Sequence, residues 1–363
     1  MATHFHQLAI KDIRRETADC ISIAFDIPTH LKQIFTFTQG QNITIKAAIA
    51  GETLRRSYSI CSSPMEDELR IAVKKVADGK FSSWASEHLK KGSELTILPP
   101  TGKFYTPLDA RNKKNYMAFA AGSGITPLLS IIKTSLQTEP GSSFTLVYGN
   151  KNRTSIIFKE ELEALKNKYI HRFSIHHIFS REKADAPIYH GRIDAAKCET
   201  IFQHLINIKN CDAFFLCGPE SMIFTVKDYL EAKGVDKTQI HFELFTPPGQ
   251  VKSLVATGGP LIAENVFQGK ASKVNILLDG VSFGFDLSYN GQSILDAALA
   301  TGADLPYACK GGVCASCRAK LVSGEVMMDN NYALEPDELN NGYILTCQSH
   351  PRSEKISIDF DQK

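Results

Sequence analysis

Four cysteines near the C-terminus constrain this chain more than any other feature of its sequence. Cys309, Cys314 and Cys317 lie at C-x4-C-x2-C spacing, and Cys347 follows thirty residues later. This is the ligand pattern of a plant-type [2Fe-2S] cluster, in which four thiolates hold the irons. Structural zinc sites instead pair their cysteines as two closely spaced doublets. The spacing therefore predicts an iron-sulfur cluster and favours it over a zinc site or buried free thiols.

The length of the chain predicts more than one domain. At 363 residues it is too long for one ordinary hydrophobic core, so we expect two or three domains. Its apolar runs are far shorter than the roughly eighteen residues that a membrane helix needs. Its first residues lack the basic segment followed by an apolar segment that is typical of a secretory signal. We expect a cytoplasmic protein with no membrane partner, whose nine cysteines are reduced or bound to metal.

The net charge of the chain is small but unevenly divided. A total of +2 argues against nucleic acid as the main partner. From Lys273 onward, twelve acidic residues outnumber seven basic ones, so that the C-terminal part carries −5 and the remainder +7. This division suggests electrostatic docking, either between the two parts or with an outside partner. Ordinary surface charge is the alternative.

Residues 1–108 have the pattern of a small antiparallel β-barrel. β-rich runs alternate with turn signals, and one helix is predicted at 83–89. The predicted strands are 20–25, 42–47, 69–76 and 94–98. A further strand carries Arg56, Tyr58 and Ser59, whose side chains suit a phosphate, a flat ring and a ring nitrogen. A surface strand without a ligand would carry the same residues, so this pattern alone is weak.

A second element in the barrel suits a phosphate. Residues 79–83, with the sequence GKFSS, open the predicted helix. A permissive glycine, hydroxyl groups and free N–H groups meet there, as they do where helix N-termini bind phosphates. An ordinary helix cap is the alternative interpretation.

Between residues 109 and 245 the pattern changes to alternating strands and helices. Such alternation predicts a parallel sheet covered by helices. The predicted strands are 116–120, 144–148, 173–179, 214–216 and 240–244. The turn after the first of them, with the sequence GSGITP at 122–127, places two glycines and a hydroxyl at a helix N-terminus, where such folds bind a pyrophosphate. Pro127 replaces the third glycine of the common dinucleotide fingerprint.

These motifs together resemble the ferredoxin-NADP reductase family with a C-terminal plant-type ferredoxin domain. The resemblance is carried by R-x-Y-S with the later G-x-x-S, by G-x-G-I-T-P with a later C-G-P, and by SILDAA and TCQ around the cysteines. It implies a multidomain fold with an FAD-binding antiparallel β-barrel at 1–108 and an NADP-binding α/β domain with a parallel sheet at 109–245. A linker at 246–272 and an α+β ferredoxin domain of β-grasp type at 273–363 would follow.

The resemblance also implies which residues bind each cofactor. FAD would contact Arg56, Tyr58, Ser59, Val73, Lys74, Gly79, Lys80, Phe81 and Ser82. The nicotinamide nucleotide would contact Gly122, Gly124, Thr126, Pro127, Ser180, Arg181, Cys217, Gly218 and Pro219. Ser59 and Cys217 are the catalytic candidates, because they would lie where hydride transfer occurs. Glu243 and Phe245 would cover the flavin.

The choice of nicotinamide depends on the end of the strand at 173–179. Ser180 and Arg181 follow that strand, where the adenosine ribose should lie. An arginine there can neutralise the 2′-phosphate of NADP, whereas an acidic residue would bond the 2′-hydroxyl of NAD. We therefore predict NADPH, and the adjacent Glu182 leaves NADH open.

The order of the sites predicts an electron relay from NADPH through FAD to the cluster and then to an outside acceptor. The domain order and the segments RRSYSIC, AAGSGITP, SILDAALATGADLPYACKGGVC and NYALEPDEL extend the resemblance over about residues 5–360. Over this length the chain resembles the reductase subunit of the bacterial phenylacetyl-CoA epoxidase system, which implies a multicomponent di-iron oxygenase as the acceptor. Two alternatives stay open at this point. One is a reductase for another oxygenase or for the hybrid-cluster protein, and the other is a non-enzymatic redox sensor.

Overall fold

The computed structural model describes residues 4–184, 186–245 and 270–362. Within them, three large sheets form in chain order: an antiparallel barrel, a parallel sheet with helices, and a mixed sheet with short helices. The predicted multidomain fold class is therefore confirmed. The predicted linker falls largely outside the described ranges, and its last two residues, 271 and 272, begin a strand.

Six strands and one helix form the barrel. Their spatial order is β4-β3-β6-β1-β2-β5, and a bridge between Ile60 and Ile71 joins the ends of the sheet. Inward-facing isoleucine, leucine and phenylalanine side chains fill its core. The elements are β1 (His6–Thr17), β2 (Cys20–Asp26), β3 (Asn42–Ile49), β4 (Glu52–Ser59), β5 (Leu69–Lys74), α1 (Lys80–His88) and β6 (Glu94–Thr101).

The second sheet is parallel, with the order β11-β10-β7-β8-β9. Apolar side chains from both faces pack under the helices, so its strands are almost continuously buried. The elements are β7 (Asn115–Ala121), α2 (Ile125–Thr138), β8 (Ser143–Asn150), α3 (Lys159–Lys168), β9 (Phe173–Phe179), α4 (Ala195–His204), β10 (Ala213–Gly218), α5 (Glu220–Ala232) and β11 (Ile240–Leu244).

The third sheet has the order β13-β12-β18-β14-β16, with α6 packed on it. Its central pair, β12 and β18, is parallel while the outer pairs are antiparallel, and a two-stranded ribbon of β15 and β17 lies beside it. The elements are β12 (Ala271–Leu278), β13 (Val281–Ser288), α6 (Ile294–Ala300), β14 (Arg318–Ser323), β15 (Val326–Met328), α7 (Pro336–Asn340), β16 (Tyr343–Leu345), β17 (Ser349–Pro351) and β18 (Lys355–Asp359).

Opposite charges join the third domain to the barrel. Lys46 pairs with Asp304, and Lys103 pairs with Asp337 at 3.0 Å. These contacts match the division of charge along the sequence, because the cations come from the basic part of the chain and the carboxylates from the acidic part. None of the helices in the described ranges combines the length and apolar character that crossing a membrane requires.

Candidate functional site

The four predicted cluster ligands come together in one loop and the segment beside it. Their thiols form two pairs, because hydrogen bonding links Cys309 with Cys314 and Cys317 with Cys347. No three His, Cys, Asp or Glu side chains among the described residues converge on a single-ion site. Two thiol pairs fit a cluster of two irons, with one pair for each iron.

The backbone of the cluster loop turns N–H groups toward these sulfurs. The N–H of Cys309 donates to the Sγ of Cys314 at 3.5 Å, and the N–H of Gly311 donates to the Sγ of Cys309 at 3.3 Å. Lys310 and Ala315 hold positive φ angles, which is costly for residues with a Cβ and is common where a functional loop is tightly constrained. These donors would stabilise charge on the cluster sulfurs.

The same contacts favour thiolates. The hydrogen bond from Cys314 and the nearby N–H groups lower the pKa of Cys309 to about 6, despite burial. The bond from Cys317 likewise lowers the pKa of Cys347. The thiolate is the form that binds metal. One ligand of each pair, Cys309 and Cys347, therefore has a pKa that favours this form. The structure therefore fits the predicted cluster.

The predicted flavin residues lie along β4, β5 and the start of α1. Tyr58 packs against Phe81, with ring centroids 5.6 Å apart. α1 begins after Gly79 without a side-chain cap on its N-cap residue, so its first N–H groups suit a phosphate. The Ser82 hydroxyl accepts from the N–H of Val76 at 3.1 Å and so closes the turn before the helix.

Other predicted flavin residues have different surroundings. The side chains of Val73 and Phe81 are buried in the barrel core, so contact with a cofactor would come from their main chain. Lys80 forms an ion pair with Glu52 on the surface. The Nζ of Lys74 lies 3.7 Å from the point where a Cβ on Gly122 would stand, so this side chain reaches the glycine turn of the second domain.

Ser59, Glu243 and Cys217 meet at the junction of the barrel and the parallel sheet. The Ser59 hydroxyl donates to Glu243 Oε2 at 2.7 Å, and Cys217 pairs with Glu243 in the register of β10 and β11. Burial raises the pKa of Glu243 to about 7, although Ser59 and Asn42 donate hydrogen bonds to it. Burial also raises the pKa of the Cys217 thiol. The junction thus holds a hydroxyl, a neutral thiol and a carboxyl that titrates near neutrality. Asn42 is the member that sequence reasoning missed, since it carries no motif.

The raised pKa of Glu243 predicts how stability depends on pH. The folded state keeps the Glu243 proton up to about pH 7, whereas an unfolded chain loses it near 4.5. Stability should therefore fall as pH rises from about 4.5 to 7, because the folded state then has to lose a proton that it binds more tightly. We expect Glu243→Gln to remove this contribution and to raise the thermal unfolding midpoint at pH 8 relative to the wild type.

The measurement is a series of thermal unfolding midpoints from pH 5 to 8. Glu94→Gln, which changes an exposed glutamate of β6, is the matched control and should keep the wild-type profile. An unchanged pH profile in Glu243→Gln would contradict the assignment of a raised pKa.

The GSGITP turn lies directly against the C-G-P segment. A Cβ on Gly124 would stand 2.1 Å from the carbonyl oxygen of Cys217, so only glycine allows this approach. The Thr126 hydroxyl donates to the Ser123 carbonyl at 3.0 Å, and Tyr148 donates to the Gly122 carbonyl at 2.9 Å. The predicted nicotinamide motifs are thus in mutual contact, with Pro127 in the first turn of α2 and Pro219 before α5.

The other end of the predicted nucleotide site is cationic. Ser180 and Arg181 follow β9, and their N–H groups donate to the carbonyls of Asn150 and Lys151, each at 2.9 Å. Glu182 accepts from the N–H of Arg153 at 2.8 Å and pairs with its guanidinium. Glu182, whose carboxylate could have bonded the 2′-hydroxyl of NAD, is therefore already paired with Arg153. Sequence reasoning missed Arg153, which lies in a polar loop without a recognisable motif.

A narrow cavity leads from this junction to the cluster loop. It runs between Glu243 and Cys314, and its wall includes Asn42, Phe242, Val313 and Tyr332. One predicted cluster ligand and the junction carboxyl therefore border the same space. Phe245, by contrast, lies at the exposed end of the second domain, where 40% of it is accessible to solvent.

Three family models match the chain in the order of its three sheets. An oxidoreductase FAD-binding domain matches residues 7–106, and an oxidoreductase NAD-binding domain matches residues 119–228. A 2Fe-2S iron-sulfur cluster binding domain matches residues 277–352. Ser59, Cys217, the glycine turn and the four cysteines fall within these three ranges, whereas Glu243 of the junction lies just beyond the second.

Curated relatives match almost the whole chain. The chain is 44% identical to one of the subunits of the 1,2-phenylacetyl-CoA epoxidase of Escherichia coli (strain K12), over 99% of each protein. It is 33% identical to the ferredoxin reductase component of 3-ketosteroid-9-alpha-monooxygenase of Rhodococcus rhodochrous, over 97% of this chain and 96% of that protein.

Solved structures support the fold. Phthalate dioxygenase reductase matches with a TM-score of 0.56 and 24% identity, over 98% of each chain. An intact type IV self-sufficient cytochrome P450 monooxygenase matches with a TM-score of 0.68 and 18% identity, over 98% of this chain and 41% of that one. At sequence identities this low, the structural matches support only the fold.

Proposed function

Since this chain belongs to the ferredoxin-NADP reductase family and carries a C-terminal plant-type ferredoxin domain, we propose that it is the reductase of a phenylacetyl-CoA epoxidase. It is an oxidoreductase that passes electrons from NAD(P)H through FAD to a [2Fe-2S] cluster and on to an oxygenase. The 44% identity over 99% of the chain to a component of such an epoxidase supports the choice of acceptor.

The observation that carries the relay is the junction of Ser59, Cys217 and Glu243 beside the cavity that reaches Cys314. When bound, the flavin supplies the step between a two-electron donor and one-electron carriers. The protein itself positions the reacting groups and excludes water from them. Ser59 and Glu243 orient one another by hydrogen bonding, and the buried Cys217 keeps a neutral thiol at the nicotinamide side.

The roles proposed for the remaining residues follow from their positions. Arg56 and the N-terminal turn of α1, with Gly79 to Ser82, would hold the flavin phosphates. Tyr58 and Ser59 would contact the flavin ring. The glycine turn and the C-G-P segment would hold the nicotinamide nucleotide, and the four cysteines would hold the cluster.

We propose the domain boundaries 1–108, 109–245 and 273–363, and the cytoplasm as the place of action. Sheets that begin and end near these positions support the boundaries. The cytoplasm supplies the reduced nicotinamide on which the proposed relay depends.

NADPH is the proposed electron donor, because Arg181 follows β9 and Glu182 is engaged by Arg153. We expect Arg181→Gln to raise the KM for NADPH by about tenfold or more and to leave that for NADH within about twofold, since a charge-assisted bond to phosphate contributes about 1.5–3 kcal/mol. Steady-state reduction of an artificial acceptor measures both constants.

Arg111→Gln is the control for this prediction. Arg111 is an exposed arginine of the same domain, paired with Asp109, and its replacement should change neither constant. Equal KM increases for both nicotinamides in Arg181→Gln would contradict the assignment of Arg181 to the 2′-phosphate.

The acceptor is tested by reconstitution. The purified protein is combined with the oxygenase subunits of a phenylacetyl-CoA epoxidase and, separately, with those of a 3-ketosteroid-9-alpha-monooxygenase. We expect NADPH-dependent product formation with the first set only. Product with the second set, or with neither, would overturn the proposed acceptor while leaving the relay within this chain intact.

A further inference from the structure

Arg55 is a buried cation that joins the barrel to the cluster-bearing domain. Only 5% of its side chain is exposed. Its guanidinium pairs with Asp304 and donates to the Leu305 carbonyl at 2.7 Å. It also lies over the ring of Tyr307, 4.2 Å from its centroid, and over that of Phe5, 5.0 Å from its centroid. These five residues are called the Arg55 clamp below.

The clamp acts close to the cluster loop. Asp304, Leu305 and Tyr307 immediately precede Cys309, the first cluster ligand. On the neighbouring strand, the Thr44 hydroxyl lies 2.9 Å from the Ser316 hydroxyl, between the second and third ligands. The barrel therefore contacts the cluster loop at two places, before its first cysteine and between its second and third.

The same strand carries predicted flavin residues on its other face. In β4 successive side chains point to opposite sides, so that Arg55 faces the third domain while Arg56 and Tyr58 face away from it. β3 pairs with β4 along its whole length, with Lys46 opposite Arg55 and Ile45 opposite Arg56. One rigid hairpin thus connects the flavin side of the barrel to the cluster loop.

The clamp is poorly suited to a purely stabilising role. The Nε of Arg55 is buried without a hydrogen-bond partner among the described residues. Burial of the Arg55 guanidinium costs desolvation energy, and its attraction to Asp304 is weakened by solvent because that carboxylate is largely exposed. What such a pair specifies well is a geometry, and here the geometry is the position of the cluster loop against the barrel.

We propose that Arg55 is a positioning residue that holds the cluster-bearing domain in its electron-accepting position against the flavin-binding barrel. This inference rests on the proposed function. Electron transfer between two centres slows steeply as their separation grows, so loosening the clamp slows the flavin-to-cluster step. Reduction of the flavin by nicotinamide, which takes place on the other side of the junction, is unchanged.

The first test uses Arg55→Met, which keeps an unbranched apolar stem and removes the guanidinium with its charge. Asp304 is 64% exposed and keeps Lys46 as a partner, so this change leaves no uncompensated buried carboxylate. In anaerobic stopped-flow absorbance with NADPH, flavin reduction should keep its wild-type rate. Cluster reduction should slow about tenfold, which corresponds to about 1.4 kcal/mol in the docking equilibrium. Arg55→Lys should recover part of the rate.

Amide hydrogen exchange provides a readout that does not depend on activity. In Arg55→Met, exchange should quicken at 304–317 and at 44–46, where the two domains touch, and stay unchanged in β7–β11. Asp304→Asn tests the clamp from its exposed side and should give the same pattern if Arg55→Met does not fold. Arg111→Met is the matched control and should behave as the wild type.

The outcomes separate this inference from the function on which it rests. If the wild type reduces its cluster and the folded Arg55→Met and Asp304→Asn variants do so at the same rate with unchanged exchange, the positioning role is overturned and the relay stands. If the wild-type cluster is not reduced after the flavin, the relay itself fails.

Discussion

Cys347→Ser should abolish electron delivery while leaving reduction of the flavin intact. Cys347 is the remote partner of Cys317, and the two thiols form one of the pairs that would hold an iron. Loss of an outer-shell partner alone typically costs 10–100-fold in metal affinity or activity, so we expect loss of a ligand to lower transfer to a one-electron acceptor by at least about 100-fold. Cluster absorbance should disappear, and flavin absorbance should still bleach with NADPH.

Cys211→Ser is the matched control. Cys211 is a partly exposed thiol in the loop before β10, away from the cluster loop and the junction. This variant should retain the cluster and the wild-type rates. Cluster absorbance at wild-type intensity in Cys347→Ser would contradict the ligand assignment.

Gly124→Ala should disable the nicotinamide site. The added Cβ would meet the Cys217 carbonyl oxygen at 2.1 Å and its carbon at 2.4 Å. Both are main-chain atoms, so β10 or the glycine turn must move and no side chain can yield instead. Overpacking of this kind destabilises by about 1–3 kcal/mol. Because the displaced turn and the C-G-P segment form the proposed nicotinamide site, NADPH should no longer bleach the flavin at a measurable rate.

Reduction by dithionite separates a lost nicotinamide site from a lost flavin. In Gly124→Ala the chemical reductant should still bleach the flavin and then the cluster. Gly234→Ala is the control, because Gly234 has a positive φ but open space around it. It should lose about 1–2 kcal/mol of stability to backbone strain and reduce its flavin at the wild-type rate. Wild-type NADPH reduction in Gly124→Ala would contradict the proposed nicotinamide site.

Local patterns predict much of the fold. The strands β9 and β11 begin and end at the predicted residues, because each is a run of buried or β-favouring side chains bounded by polar turns. The cysteine spacing predicts the cluster loop for a similar reason, since three of the four ligands lie within nine residues. β1 is not predicted, because charged residues interrupt its alternation of apolar side chains.

The junction is harder to predict, because it depends on contacts between distant parts of the chain. Ser59 and Glu243 are 184 residues apart and meet only when the barrel packs on the parallel sheet. Arg55 and Arg56 are adjacent and chemically identical, yet one joins the third domain and the other faces away from it. The R-x-Y-S motif selects Arg56, but no local pattern predicts the contact of Arg55 with the third domain, which arises from the face of β4 that Arg55 occupies.

Anaerobic stopped-flow absorbance of the cofactor-loaded protein, mixed with NADPH and separately with NADH, tests the central claim most directly. The relay predicts rapid flavin bleaching followed by loss of cluster absorbance, with NADPH the faster donor. Flavin bleaching with an unchanged cluster would contradict the relay, because the ferredoxin domain would then not be the acceptor for this flavin.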